Sequence, residues 1–414
     1  MRGHSTDSLI LAGFEQALPE IWPTPRDPFD FENYRIVHPF ALTGIAALAR
    51  PRSGEAGLHL APCNYADPHS RWAWGGMGLE ELLASTTPRS PGEAGRTAKL
   101  RRIEGRKGTD EHARRMAALV APSSGDTRQT LRYVFDELMR NVVQHSQDPL
   151  GGVACAQRMD PVGRYPHKVI QLSVADNGIG IPASIARSAG ADWSVHEAIL
   201  HAMRPHVSGA FAPGAYGSEE NAGMGLFVVP EIVKRTAGRF LISSPMGSLY
   251  IEGDPQYASN HVIKKSDTSY PGTLIAFEIP LIGPEESPFP DIQFSDILAA
   301  ILADADRMRP GKVSIPVLRF EAPPAGAFQC LASLAIGDLD RSSALRDRLL
   351  QALVRRANVA VDFMNVRLAT QSQVHAILFE PLRVAQSLNA PLYVVNCTRE
   401  VRTVLEFLQG YALS

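Results

Sequence analysis

Four short motifs follow one another in a set order along the middle of the chain, and that order restricts the fold more than composition does. The first lies in residues 131–146, LRYVFDELMRNVVQHS, where Leu131, Val134, Phe135, Leu138 and Val142 recur at helical spacing and define one apolar face. Glu137, Asn141 and His145 fall at i, i+4 and i+8, so a carboxylate, an amide and an imidazole form a second stripe beside it. A solvated face gives the same spacing. The helix alone does not separate the two readings.

Three further motifs come after it. A strand over residues 168–174 runs into Asp176-Asn177-Gly178-Ile179-Gly180, which an ordinary turn also explains, because glycine accepts positive φ. Residues 221–226, Asn-Ala-Gly-Met-Gly-Leu, lead into a helix over 227–236, and amides at a helix N-terminus suit phosphate. Gly272-Thr273 opens a late strand over 273–279, after strands at 239–243 and 248–252. Each motif is weak alone. Their order and spacing carry the signal.

That pattern resembles the GHKL superfamily of ATP-binding domains, found in sensor histidine kinases, anti-sigma-factor serine kinases, gyrase, mismatch-repair ATPases and the heat-shock chaperone ATPase. The resemblance spans residues 110–281. It implies an α/β sandwich in which a mixed sheet backs the helices that hold ATP and Mg²⁺. It also implies Asn141 as the ligand joining Mg²⁺ to the triphosphate, Asp176 as acceptor for the adenine amine, and Thr273 at the adenine edge. Gly178 and Gly180 would let the backbone approach the base, and Asn221, Gly223, Gly225 and Leu226 would end the mobile lid. Glu137 would be the general base toward the γ-phosphate, while His145 stays open between capping and support of its neighbours. Two family features are missing: His112 lacks the context of a phosphoacceptor histidine, and there is no large transducer domain.

A chain of 414 residues exceeds one hydrophobic core, so two or three domains are expected. With 45% apolar and 20% charged residues it reads as globular, and a net charge of -2 gives no general case for nucleic acid or an anionic membrane. Cys63, Cys155, Cys330 and Cys397 form no C-x-x-C pair, which argues against zinc and a disulfide framework. No apolar run approaches the roughly 20 residues that span a bilayer, and LILAGF near the N-terminus is too short for a signal segment. A cytoplasmic location, without membrane association, is the expectation.

The last hundred residues alternate strands at 313–320, 359–363 and 392–396 with helices at 342–356 and 373–388 and a final helix, the pattern of a mainly parallel α/β sheet. Part of this recurs near the N-terminus. Asp30-Phe31-x-Asn33-x-Arg35 reappears as Asp362-Phe363-x-Asn365-x-Arg367, with Ile45 and Ile377 at the same offset. Gln16-Ala17-Leu18 matches Gln351-Ala352-Leu353 upstream, and Leu58 and Cys63 match Leu392 and Cys397 downstream. The N-terminal copy reads as a helix over 9–22 disturbed by Pro19 and Pro23, a strand at 29–31, a helix after Pro39 and a strand at 58–61.

The C-terminal copy resembles STAS-like domains, which are targets of GHKL serine kinases. Its alignment puts Gln371 where the family carries phosphoserine, with Thr370 and Ser372 on either side; helix N-capping is the alternative role for these hydroxyls. The expected division is an N-terminal STAS-like module at 1–90, a basic linker at 91–109, the GHKL domain at 110–281, a linker at 282–312 with one helical stretch, and a C-terminal STAS-like domain at 313–414. The linker holds Arg96, Lys99, Arg101, Arg102, Arg106 and Lys107 without interleaved aromatics, so it reads as a solvated run; contact with nucleic acid rests on it alone. The functional expectation is a Mg-ATP-dependent ATPase or serine/threonine-protein kinase controlling the STAS-like modules, a protein partner or a second copy. The alternative is a non-catalytic, ATP-gated interaction module.

Overall fold

The computed structural model describes residues 8–21, 28–50, 57–84, 96–161, 165–189, 193–205, 225–254, 260–289, 291–307, 317–321, 328–333, 342–355, 358–388 and 390–412. The chain divides into two compact units, one of residues 1–203 with 225–294, the other of 204–224 with 295–414. Among the described residues no helix is long and apolar enough to cross a membrane. Cys63, Cys155 and Cys397 are free thiols.

The first unit begins with β1 (Ser8–Leu9), α1 (Phe14–Ile21), β2 (Ile36–Val37), α2 (Pro39–Ala49), α3 (Pro68–Arg71) and α4 (Leu79–Leu83). It continues with β3 (Thr97–Ile103), α5 (Arg106–Val120), α6 (Gly125–His145), β4 (Gly152–Met159), β5 (Lys168–Asp176), α7 (Gly180–Ala189) and α8 (Val195–Ala202). After these come α9 (Gly225–Lys234), β6 (Arg239–Ser244), β7 (Gly247–Glu252), β8 (Val262–Ser266) and β9 (Thr273–Leu281). Seven strands form one sheet in the order β3-β4-β5-β9-β6-β7-β8. Every neighbouring pair is antiparallel, so the sheet is not the mixed one expected. β5 and β6 both run antiparallel to β9, so the connection between them through α7, α8 and α9 is a crossover that leaves the place between them to β9.

Strand alternation sends successive residues to opposite faces. Phe277 of β9 meets Phe135 of α6, with ring centroids 6.3 Å apart. Its neighbour Ala276 belongs instead to a core shared with Phe14, Leu18, Phe40, Leu42 and Ile45. Helices α5, α6 and α9 therefore cover one face of the sheet and the N-terminal segment covers the other. Residues Pro39–Leu48 of α2 are all buried, because PFALTGIAAL is apolar around the whole helix. The expected separate module at 1–90 is thus corrected: its central helix has no core apart from the sheet.

The basic linker at 91–109 is corrected as well, since Thr97–Ile103 is the edge strand β3 and α5 starts at Arg106. Ala98, Leu100 and Ile103 point inward, and a shift in register between Ala98 and Arg101 breaks the two-residue period that would have revealed the strand. The charges have local partners: Lys99 lies 3.7 Å from Glu81, Arg96 lies 2.8 Å from Asp160, and Arg102 donates to Leu82 O at 2.7 Å.

The second unit carries α10 (Phe294–Arg307, whose first residue lies in unit one), β10 (Leu318–Arg319), β11 (Phe328–Ser333), α11 (Ser342–Val354), β12 (Asn358–Asp362), α12 (Gln371–Ser387), β13 (Leu392–Val395) and α13 (Arg399–Ala412). Its four strands are parallel, in the order β10-β13-β12-β11. Strand β11 has no counterpart in the sequence reading. The expected linker at 282–312 contains a full helix, α10.

The internal repeat has a structural counterpart. Phe29 pairs with Leu60 in an isolated parallel bridge, and the residues the repeat sets against them, Val361 and Val394, pair in the β12–β13 ladder. After the first strand, Asp30 Oδ1 accepts Glu32 N at 3.0 Å, as Asp362 Oδ1 accepts Met364 N at 2.9 Å. Tyr34 N then donates to Phe31 O, and Val366 N to Phe363 O. Helices α2 and α12 begin at Pro39 and Gln371, at the offset of the two aspartates. Among the described residues the N-terminal copy shares the turn and the helix, with the Phe29–Leu60 bridge where the C-terminal copy has the β12–β13 ladder.

Candidate functional site

Helix α6 starts at a capped end, where Ser124 Oγ accepts Thr127 N at 3.2 Å. Its apolar face, including Leu131, Val134, Phe135, Leu138 and Val142, is buried. Of the polar stripe, Glu137 is buried, while Asn141 and His145 are half-buried. Glu137 is only 7% exposed, and burial pushes its carboxyl up to about 7 against the opposing pull of Arg140. Glu137 Oε1 and Asn141 Nδ2 are shielded from solvent and have no hydrogen-bond partner among the described residues. One turn earlier, the Tyr133 hydroxyl is in the same condition. Such groups are costly to bury unpaired, so a run of them on one helix face marks a surface built for a polar ligand. His145 continues the stripe, but burial pushes its imidazole down to about 4, which keeps it neutral at pH 7.

Asp136 lies beside the stripe, where its charge pushes the Glu137 carboxyl further up. It sits 3.8 Å from Arg140 on its own helix, and burial raises it to about 6.

The second motif lies at the end of the longest ladder. The β5–β9 register pairs Asp176 with Thr273, so motifs far apart in sequence become neighbours across two strands. Asp176 Oδ1 accepts Gly178 N at 2.9 Å and Thr273 N at 3.3 Å. Burial pushes this carboxyl up to about 7; those two amides and Arg50 pull it down, and Asp148 pushes it further up.

Gly178 and Gly180 make close approaches of a kind not expected. A Cβ at Gly178 would lie 1.9 Å from Ser146 O, and one at Gly180, where φ is +75°, would lie 2.4 Å from Pro245 Cδ. The closest contacts of both glycines are thus protein atoms, which press the loop against the exit of α6 and the end of β6.

The loop is fixed to α6 by residues the sequence reading did not single out. Ile179 N donates to Ser146 O at 2.8 Å, and Asn177 N donates to Asp148 Oδ2 at 2.9 Å. Ser244 Oγ accepts Ile181 N at 2.8 Å and donates to Gly272 O at 3.3 Å, tying the Asp176 loop to the turn before Thr273. The Asp148-Pro149 pair after a helix was a readable turn signal. Ser244 had none.

Of the third motif, Asn221 and Gly223 lie outside the described residues, while Gly225 and Leu226 form the first turn of α9, which packs against α6. The structure therefore joins the α6 stripe, the Asp176 loop, Thr273 and the start of α9 at one end of the sheet. Among the described residues no cluster of three or more His, Cys, Asp and Glu side chains exists to cage a metal.

Thr370, flanking the expected phosphoserine position, is the N-cap of α12. Its hydroxyl accepts Gln373 N at 3.1 Å, and Gln373 Oε1 accepts Thr370 N at 2.9 Å, a reciprocal capping box. Gln371 beside it is buried.

Residues 126–281, from one residue inside α6 to the end of β9, match the family model described as histidine kinase-, DNA gyrase B-, and HSP90-like ATPase. No curated protein matches the chain.

Proposed function

We infer that the chain is a Mg-ATP-dependent regulatory enzyme with a GHKL-like ATPase domain, acting as an ATPase or serine/threonine-protein kinase. On this reading nucleotide state controls the C-terminal STAS-like module, a protein partner or a second copy. The carrying observation is the unpaired, buried Glu137 Oε1 beside the unpaired, buried amide of Asn141 on one face of α6. A module that only binds nucleotide has no need of a desolvated carboxyl held near 7, whereas a general base working near neutral pH does.

The donor set suits magnesium in one manner only. With no carboxylate cage among the described residues, the ion would be held by the Asn141 amide, turned to present Oδ1, and by the triphosphate, as Mg²⁺ prefers one or two protein ligands plus phosphates. Bound there, the ion would neutralise charge on the transferring phosphoryl group. Glu137 in its ionised form would take the proton from water or a substrate hydroxyl. Asp176, its Oδ1 held by two backbone amides, would accept a hydrogen bond from the adenine amine, with Thr273 beside it. The first turn of α9, with Gly225 and Leu226, would offer backbone amides to phosphate.

Phosphate release with Mg-ATP, compared among the parent, Glu137→Ala and Asn141→Ala, tests this reading. Turnover unchanged in both variants, with ATP still bound, removes the enzymatic assignment. Transfer of γ-label to protein supports the kinase form; label found only as free phosphate leaves the ATPase form.

A further inference from the structure

We propose that Arg50, from the N-terminal segment, is a positioning residue for the Asp176 loop, and that this segment thereby sets nucleotide affinity. The proposal rests on the nucleotide reading of Asp176 and adds a regulatory input to that site. Arg50 follows α2 and is 3% exposed. Its guanidinium donates to Leu150 O and Gly151 O, each at 2.7 Å, and lies 3.4 Å from Asp148 Oδ2. Asp148 Oδ2 also accepts Asn177 N at 2.9 Å, and Asp148 Oδ1 accepts Leu150 N at 3.0 Å. A continuous path thus runs from α2 on one face of the sheet, through a buried ion pair, to the amide between Asp176 and Gly178.

Its chemistry separates positioning from filling space. An apolar side chain would end α2 and fill the same volume without the desolvation cost of a buried charge. The arginine instead orders three backbone and side-chain acceptors in the turn that follows α6. It also balances Asp148, the nearest negative charge to Asp176. The groups acting on Asp176 are Asp148, Arg50 and the amides of Gly178 and Thr273. Loss of the guanidinium alone leaves Asp148 uncompensated, so Asp176 holds its proton to higher pH and offers a bound base a neutral carboxyl, a weaker acceptor than the carboxylate. Loss of both charges restores the balance.

ADP binding to the full chain, followed by calorimetry between pH 5.5 and 9, tests the proposal without turnover. The parent should lose affinity as pH falls through about 7. Arg50→Met should move that midpoint up by about one unit and weaken binding at pH 7 by about fivefold. Arg50→Lys should keep the parent midpoint, and Arg50→Met/Asp148→Asn should return toward it. The double variant has no uncompensated buried charge, so it reports even where Arg50→Met fails to fold. A folded Arg50→Met with parental affinity and midpoint overturns the proposal. So does a weakening that is equal at every pH in both methionine variants, the mark of a purely structural role. Absence of ADP binding to the parent overturns the underlying nucleotide reading as well.

Discussion

Replacing the proposed base should make the protein more stable and, at the same time, inactive. Glu137 has a carboxyl raised from an ordinary 4.5 to about 7 by burial. A carboxyl whose folded value lies above its unfolded one favours the fold while protonated, and that contribution is lost as pH rises through the folded value. Between pH 5.5 and 7 the unfolded carboxyl is ionised and the folded one protonated, so stability falls by about 1.4 kcal/mol per unit. The total is about 2 kcal/mol by pH 8. Glu137→Gln removes this slope. Asp136 and Asp176 are also raised, but they are present in both proteins and cancel. The gain from Glu137→Gln should therefore be larger at pH 8 than at pH 5.5 by about 2 kcal/mol, or about 4–8 °C in Tm for a unit of this size. Thermal unfolding at both pH values in the absence of nucleotide reads the difference, and phosphate release reads activity. An equal change at both pH values would refute the assignment of a desolvated, unpaired carboxyl, whatever happened to turnover.

Three other outcomes follow from the same geometry. Asn141→Ala should abolish the magnesium dependence of nucleotide binding while leaving metal-free ADP affinity within about threefold, as read by calorimetry with and without Mg²⁺. Gly178→Ala forces a methyl group to within 1.9 Å of Ser146 O, so the loop must move; ADP affinity should fall by more than about tenfold, and protection of the Ile179 amide in hydrogen exchange should drop. Thr370→Ala removes one half of the α12 capping box and should cost about 1 kcal/mol in denaturant unfolding of the second unit, whereas Thr370→Ser should cost little.

Helix α6, the motifs of the candidate site and strands β5, β6, β7 and β9 were legible in the sequence. Helix α6 announced itself because its apolar residues keep a 3.6 period over several turns. The Asp176 loop and Thr273 were found as motifs, but their adjacency is a property of the β5–β9 register, which only pairing reveals. Strand β3 was hidden because Lys and Arg stand between Ala98, Leu100 and Ile103 and a bulge spoils the alternation. The residues that brace the loop were least visible. Arg50 and Asp148 are separated by nearly a hundred positions, and Ser244 is an ordinary strand residue until folding sets its hydroxyl between two loops. Local pattern reports the element a residue belongs to. It does not report which distant backbone amide that residue will hold.

The repeat and the two-faced sheet together explain why the N-terminal segment bears on the Asp176 loop. Among the described residues the parallel pairings of the N-terminal segment are the two-residue β1–β2 ladder and the Phe29–Leu60 bridge, too little to support an apolar helix, whereas the C-terminal copy carries four strands. Helix α2 consequently takes the seven-stranded sheet as its partner, against Val153, Cys155, Ala175, Leu274 and Ala276. That dependence runs in both directions. Each large side chain of this layer stabilises the unit by about 1.5–3 kcal/mol through burial, so removing the layer exposes more apolar surface than a marginally stable domain tolerates. A fragment of residues 96–294, which keeps β3 and α5, should then aggregate or unfold at temperatures where residues 8–294 remain folded, with light scattering and thermal melts as the measurements. A monomeric 96–294 fragment with the melting temperature of the longer one would show that the N-terminal layer is an accessory, and the route from α2 through Arg50 would lose its structural foundation.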